Sequence, residues 1–306
     1  MDILISAHNP MTGPRHLGHH VSTMREWPQL QKKYECFFVI DDLIAVLMYP
    51  RERKEIFERS LFVAREFMAC GIDLKRCHIF LTSMVPESLE LMTYLSNYID
   101  HGFCDDLFKR SFLGLISPQD REEIGLPLVP SIAELTYPQL ALPALTLGLG
   151  AKAFQGGEEI SGYLMIMRQL VRQFNAANKL QLVAPIWEQP ETSFLHGTDG
   201  NHMMSENAIY VSDTGSSRHD RYADAHPETM RHMAAALAPA KAAAGAEHKH
   251  LQTLLDRETE CYRTTSASSD QVMDCVADGA ARAKFLVRGT LERVRQSLSI
   301  PHIIEY

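Results

Sequence analysis

The run Ile3-Leu4-Ile5-Ser6-Ala7, which opens through His8-Asn9-Pro10-Met11-Thr12-Gly13-Pro14-Arg15 onto His16-Leu17-Gly18-His19, decides the fold. A short apolar run that ends in a Gly- and Pro-bearing loop reads as a buried strand feeding a helix. At such a junction the first backbone N–H groups of the helix lack partners, and phosphate suits them. His16 and His19 are three residues apart, so they share one face of the helix's first turn. Gly18 between them carries no side chain, which lets a nucleotide approach the backbone closely. Imidazoles there can donate to phosphate oxygens as negative charge builds on them. Taken alone, the same pair also reads as surface histidines at a helix start.

Working outward, Cys36–Leu47 (CFFVIDDLIAVL) begins as a continuous apolar strand, as expected in a sheet covered on both faces. Residues 51–70 place Ile56, Leu61, Phe62, Ala64, Phe67 and Met68 on one helical face, and Gly71 suits the helix end. CHIFLTS (77–83) reads as a third strand and VPESLELMTYLSNYI (85–99) as the next helix. This alternation predicts an α/β chain with a doubly wound parallel sheet. A helix is expected from His16 to about Lys33, and mostly helix over 104–150 with breaks at Pro118, Pro127 and Pro130. AKAFQGG (151–157) returns a strand, and residues 158–178 form a long amphipathic helix. Residues 182–213 are loop-rich. After Asp213 the composition changes: 227–258 is Ala-rich with mixed charges, 234–246 reads as helix broken at Pro239, and 270–298 is a further helix. Two domains follow, 1–213 and a helical C-terminal domain over 214–306.

The chain has 306 residues, 45% hydrophobic and 22% charged, ordinary values for a soluble globular protein. No apolar run approaches the ~20 residues of a membrane helix, and MDILISAHNP has no basic region ahead of an apolar one. A cytoplasmic location is expected, with no membrane partner. Cys36, Cys70, Cys77, Cys104, Cys261 and Cys275 form no CxxC pair, which excludes a zinc ribbon or a secreted disulfide framework. His16, His19 and His20 sit in a Gly/Pro loop and no HExxH helix exists, so no metal site is expected; EHKH (247–250) reads as a solvated helix end. The net charge of −8 disfavours non-specific nucleic-acid binding and DNA as a partner, while a local basic face can still contact RNA.

The residues His16-Leu17-Gly18-His19 match the HIGH signature of class I aminoacyl-tRNA synthetases, and Pro10-x-Thr12-Gly13 is similar to the P-[ST]-G ahead of it in tryptophanyl enzymes, with Met11 inserted. The chain resembles the tryptophanyl/tyrosyl branch over roughly residues 3–213. Cys36–Leu47 resembles the family's second strand with its acidic pair, and residues 69–91 its second helix and third strand. Thr136-Tyr137-Pro138 is similar to the YP at the start of the pocket helix. Gly157-Glu158-Glu159-Ile160 is similar to the GxDQ segment. The resemblance implies a Rossmann-like (HUP) catalytic domain over 1–213. It implies ATP-dependent activation of an aromatic, tryptophan-like amino acid, transfer to tRNA, Mg²⁺ accompanying ATP, and a homodimer.

It also implies roles. His16, His19, His202 and Ser205 would act at the phosphates. Thr12, Gly13, Gly18, Gly157, Glu159, Met203 and Met204 would bind the nucleotide. Ile5, Asp41, Asp42, Tyr137, Ala141, Ala144 and Glu158 would line the amino-acid site. Tyr137 also reads as a packed aromatic at a helix start, and Asp41 and Asp42 as helix caps.

Two departures bear on activity. Where the family carries KMSKS, this chain has Gly200-Asn201-His202-Met203-Met204-Ser205-Glu206-Asn207-Ala208-Ile209, without either lysine. Losing one group that stabilises transition-state charge costs roughly 10²–10³ in rate, so Arg15, a lysine elsewhere or Mg²⁺ would have to compensate. Ala144 and Ala141 stand where family members place an Asp or Gln that accepts the indole N–H, which weakens discrimination. These departures leave open a paralogue that passes the activated acid to a non-tRNA acceptor, and a non-catalytic binder of amino acid or nucleotide. The last helix carries Arg282, Lys284, Arg288, Arg293 and Arg295, readable as an RNA contact or as a solvated face.

Overall fold

The β-branched and aromatic runs pair as the alternation predicts. β1 (Asp2–His8) lies parallel to β2 (Tyr34–Ile40), Ile5 beside Phe37 and His8 beside Ile40. β2 pairs with β3 (Cys77–Leu81), β1 with β4 (Ala153–Gln155), and β4 with β5 (Ile186–Glu188), all in parallel. The strand order is β3-β2-β1-β4-β5, a doubly wound sheet whose order reverses at β1. Ligands in such sheets sit outside the carboxyl ends of the strands at that reversal. The loop after β1 and the turn after β4 therefore face one crevice.

The computed structural model describes residues 1–111, 114, 116–192, 195–201, 203, 207–213, 227–237 and 248–300, the side chains of 227 and 248–252 aside. The helices are α1 (Leu17–Ser22), α2 (Trp27–Leu30), α3 (Asp42–Met48), α4 (Ile56–Met68), α5 (Glu87–Leu95), α6 (His101–Arg110), α7 (Pro118–Glu123), α8 (Ile132–Leu149), α9 (Ser161–Ala177), α10 (Pro227–Leu237), α11 (His248–Thr264) and α12 (Ser269–Ser297). No helix among the described residues is long and apolar enough to cross a membrane.

Side chains alternate across the sheet with period two, so each strand feeds two cores. Ile5, Phe37, Val39, Phe80 and Phe154 pack under α5, α8 and α9. Leu4, Phe38, Ile40 and Ile79 pack on the other face with Trp27, Val63 and Phe67. α12 contributes to both: Val272 and Val276 join the second core, Ala280, Val287 and Val294 the first. It covers the edge strand β3, an edge that would otherwise invite pairing. Gly279 permits this approach, since a Cβ there would lie 2.1 Å from the Ile79 carbonyl oxygen.

Several expectations change in the structure. The single helix over His16–Lys33 is broken at Thr23 (φ −145°, ψ −64°), then resumes as a turn at Met24–Glu26 and as α2. Pro118 starts α7 behind the Ser117 cap instead of breaking a helix, because a first-turn proline has no N–H to lose. Tyr137-Pro138 sits inside α8, not at a helix start; α8 carries Pro138 and Pro143 and is buried nearly all round, so packing overrides propensity. β5 lies within the stretch read as loop. The break expected at Pro239 lies outside the described residues.

Three basic residues of α12 pair with acids of the same chain, at or near the surface. Arg282 bonds Glu35 of β2 through Nε (2.8 Å) and Nη2 (3.1 Å), Arg288 Nε bonds Glu87 (2.7 Å), and Arg295 holds Glu90 through Nε (2.7 Å) and Nη2 (2.6 Å). Arg282 accordingly holds the Glu35 carboxyl below its ordinary range.

Candidate active site

The loop after β1 is built around a buried guanidinium. Arg15 is fully buried. Its Nη2 donates to the carbonyls of Asn9 (3.0 Å) and Gly13 (2.8 Å) and to Thr12 Oγ1 (2.9 Å). Its backbone N–H donates to the Glu66 carboxylate at 3.0 and 3.2 Å, and Nε lies 4.0 Å from Glu66. Gly13 supplies the positive φ of +81° that the turn requires. Burial pulls the Arg15 guanidinium down to about 10 and pushes the Glu66 carboxyl up to about 7. The mutual attraction thus falls short of the desolvation. Arg15 braces the loop through Nη2, while its Nε and Nη1 are buried without a hydrogen-bond partner among the described residues.

His16 and His19 cap each other. The His19 N–H donates to His16 Nδ1 (3.4 Å) and the His16 N–H to His19 Nδ1 (3.3 Å), a reciprocal box at the start of α1. Their rings stack with centroids 3.7 Å apart. An imidazole that accepts at Nδ1 carries its proton at Nε2, so the bonding assigns both rings the tautomer with an Nε2–H donor. Burial, then Arg15 and His16, hold the His19 imidazole well below its usual range, so it is neutral at pH 7. Gly18 has a steric reason beyond nucleotide approach: a Cβ there would meet the His16 ring at 2.9 Å.

The second signature region closes on the first. Leu17 N–H bonds the Ile209 carbonyl (2.8 Å), Val211 N–H the Arg15 carbonyl (2.9 Å), and His16 bridges to Tyr210. Met203 is buried with its sulfur 3.3 Å from the Gly18 nitrogen. His202, Met204 and Ser205, with the neighbouring Glu206, lie outside the described residues.

At the carboxyl ends of β2 and β3, Asp41 caps α3 through Ile44 N–H (3.2 Å) and accepts from Thr82 Oγ1 (2.9 Å). Asp42 accepts from the same hydroxyl (2.8 Å) and from Ser83 N–H (2.9 Å). Burial, with Asp42 adding, raises the Asp41 carboxyl to about 6. Tyr137 reaches this cluster through Thr82, and burial followed by Asp41 pushes its phenol upward. Tyr163 is likewise raised by burial, Asp41 and Glu159. Tyr137, Ala141 and Ala144 fall at i, i+4 and i+7 on α8, one stripe of the helix. Both alanines are buried, and Ala144 shares a core with Ile5, so that wall offers no side-chain acceptor. After β4, Gly157 is buried, and its N–H donates to Glu159 Oε1 (2.9 Å). Glu158 and Glu159 are exposed.

The structure thus brings Thr12, Gly13, His16, Gly18, His19 and Met203 together around α1. It gathers Asp41, Asp42 and Tyr137 around Thr82. Sequence reasoning passed over His8, Glu66, Thr82 and Tyr163. His8 ends β1 with its ring centroid 5.8 Å from that of His19 and 5.1 Å from that of Phe67. Its place at a strand end beside the HLGH loop was the available signal; Glu66 and Thr82 gave none.

The sequence profile of the tRNA synthetases class I (W and Y) matches residues 9–267. The chain is similar to the tryptophan–tRNA ligase of Streptococcus pyogenes, 30% identical over 224 residues, which covers 69% of this chain and 62% of that one. It is similar to that of Nostoc sp., 29% identical over 202 residues, covering 64% of this chain and 56% of the relative. The chain spans about half to three-fifths of the length of such curated relatives. Its fold is similar to the tryptophanyl-tRNA synthetase of Mycoplasma pneumoniae (TM-score 0.81, 17% identity, 98% of each chain). It is also similar to that of Campylobacter jejuni solved with ADP and tryptophan (TM-score 0.77, 18% identity, 97% of this chain and 100% of that one). The match of the profile to most of the chain settles the family: this protein belongs to the class I tRNA synthetases of the W and Y branch.

Proposed function

We propose that the chain activates an aromatic, tryptophan-like amino acid with ATP and transfers it to tRNA. The amino-acid carboxylate attacks the α-phosphorus, the bond to the β-phosphate oxygen breaks, and pyrophosphate leaves. The acyl group then passes to a hydroxyl at the 3′ end of tRNA, releasing AMP. The observation that carries this reading is the mutual imidazole cap at the start of α1. It leaves Nε2 of both rings as the outward nitrogen, with the His19 ring held neutral by burial. Such donors stabilise charge growing on phosphate oxygens without an ionisation of their own. Thr12, Gly13 and Gly18 shape the turn, Met203 closes it, and Gly157 with Glu159 faces the nucleotide from β4. Asp41, Asp42, Tyr137 and Glu158 border the amino acid, over the apolar floor of Ile5, Ala141 and Ala144. His202, Met204 and Ser205 complete the phosphate side.

Mg²⁺, a hard cation that takes oxygen ligands, would be held by the ATP phosphates. Among the described residues no three His, Cys, Asp or Glu side chains converge to hold an ion. Residues 1–213 carry the catalytic site and 214–306 follow as a C-terminal portion whose last described helix, α12, packs into the sheet cores of the first; a cytoplasmic homodimer completes the reading.

A second reading is favoured by the apolar α8 stripe. A wall without an acceptor at Ala141 and Ala144 suits a substrate other than free tryptophan. A paralogue of this kind would hand an activated acid to a small-molecule amine.

Amino-acid-dependent exchange of labelled pyrophosphate into ATP tests the activation step. Exchange with an aromatic amino acid, lost in His19→Ala, supports the proposal; no exchange with any amino acid overturns it and leaves a binder. Charging of total tRNA then separates the two acceptors.

A further inference from the structure

α1 spans six residues, too few to hold a helix by itself. Its apolar residues Leu17 and Val21 belong to neither sheet core. They pack in a separate cluster with Met203 and Ile209 of the closing segment and with Met233 of α10 and Leu255 of α11. The C-terminal helices are therefore a main support of the helix that carries the imidazole pair.

One polar contact gives that support a direction. His20, next to His19 in sequence and buried, places Nδ1 3.0 Å from the Tyr262 hydroxyl and Nε2 3.4 Å from a Glu258 oxygen. Glu258 and Tyr262 are one turn apart on α11 and face the ring together. Glu258 also takes Arg25 Nε at 3.4 Å, and Arg25 Nη1 donates to the Ala236 carbonyl of α10 (2.7 Å). The same Tyr262 hydroxyl meets Cys70 Sγ at 3.3 Å, and Cys70 donates to the Glu66 carbonyl (3.2 Å). Glu66 is the residue whose carboxylate receives the Arg15 N–H. A single hydroxyl on α11 thus bears on both ends of the HLGH segment. Successive helix residues lie about 100° apart, so a ring fixed at position 20 fixes the azimuth of positions 16 and 19.

We propose that Tyr262 and Glu258 are positioning residues, acting through His20 to set the orientation of the His16–His19 pair, a role that rests on α1 being the nucleotide helix. The C-terminal helices then tune the nucleotide site without touching the ligand. Tyr262→Phe keeps the ring and removes both hydroxyl contacts. In the full chain it weakens a non-hydrolysable ATP analogue, read by calorimetry, roughly tenfold, as expected for two modest hydrogen bonds. In a His19→Ala background the further loss shrinks below about twofold, because the positioned group is gone.

An unchanged dissociation constant in Tyr262→Phe, or an equal loss in both backgrounds, overturns the proposal. Imidazole nitrogen NMR reads the geometry without ligand: the His16 and His19 ring signals move in Tyr262→Phe, and unmoved signals count against the proposal. That readout also separates the two ideas, since a parent that takes up no analogue removes the nucleotide reading while the ring shifts still decide the coupling. Should Tyr262→Phe fail to fold, Glu258→Gln gives the same pattern at smaller amplitude, and its absence overturns the proposal.

Discussion

Replacing Gly18 by alanine separates the two things a glycine in HLGH can do. The new Cβ would lie 2.9 Å from His16 Cε1 and Nδ1 and 3.6 Å from Met203 Sδ, so the His16 ring must swing out of its cap. Loss of a helix cap costs about 1 kcal/mol. Alanine in place of glycine returns up to about 1 kcal/mol of helix propensity, and the backbone at 18 needs no positive φ. The two effects nearly cancel, so the unfolding free energy of Gly18→Ala should stay within about 1 kcal/mol of the parent. The site should not be spared. With the ring displaced, one charge-assisted donor is lost, about 1.5–3 kcal/mol or roughly 10- to 100-fold in nucleotide affinity. Urea unfolding and calorimetric titration with an ATP analogue, run on the same preparations, give both numbers. An affinity within twofold of the parent would refute the claim that the capped imidazole contacts the nucleotide. A large loss of stability would show that the cap is mainly structural.

Three further outcomes follow from other contacts. Arg15→Lys supplies three donors on one nitrogen, but its stem is one bond too short to bring them to the position of Nη2, beside the Asn9 and Gly13 carbonyls and Thr12 Oγ1. It should cost about 2 kcal/mol in urea unfolding and weaken nucleotide uptake, and a cost under 0.5 kcal/mol would contradict the strut role. Gly279→Ala drives a Cβ to 2.1 Å from the Ile79 carbonyl oxygen. Because backbone cannot yield as a flexible side chain can, about 3 kcal/mol should be lost, and a neutral effect would mean that α12 does not seat on β3 as described. His8 is held well below its usual 6.5 by burial and Arg15. Below pH 6.5 the unfolded chain takes up a proton that the folded chain refuses, so this residue's contribution weakens stability as pH falls through that value. Glu66 and Asp41, with raised carboxyls, pull the other way, so the comparison with His8→Phe is the informative one. The variant should gain on the parent by up to about 1.4 kcal/mol per pH unit below 6.5, and a constant gap down to pH 5 would refute the assignment.

The strands β1 to β3 were legible because Ile3–Ala7, Cys36–Ile40 and Cys77–Leu81 are continuous apolar runs, which a sheet covered on both faces requires. β5 was not, since Ile186–Glu188 is three residues in a proline-punctuated stretch, too short for any periodicity to register. The break at Thr23 and the tolerance of Pro138 and Pro143 within α8 depend on what packs around them, which local propensity does not encode. At the site, HLGH named His16 and His19, but their mutual capping is a matter of ring rotation that residue identity leaves open. Thr82 is invisible because one hydroxyl becomes important only when it lies between Asp41 and Asp42. The arginines of α12 show what a charge run conceals: a face read as solvated does stay partly exposed, but three of its residues find partners, Glu35, Glu87 and Glu90, far away in sequence.

The charges around α1 argue for how such a site has to work. Arg15 is buried and braces the loop through Nη2 alone, and the His19 ring is kept neutral by burial. Under the proposed function, the His19 ring would stabilise phosphate charge as an N–H donor and not through net positive charge. A lysine acts as a point charge on a flexible stem and tolerates ångström errors in placement. A hydrogen bond from an imidazole weakens steeply with angle. A site of the proposed kind, relying on capped rings, would have to hold those rings more stringently, and the contacts that do so should matter out of proportion to their effect on stability. Gly18, which leaves room for the His16 ring, and His20, gripped by Tyr262 and Glu258, occupy the positions where that demand falls.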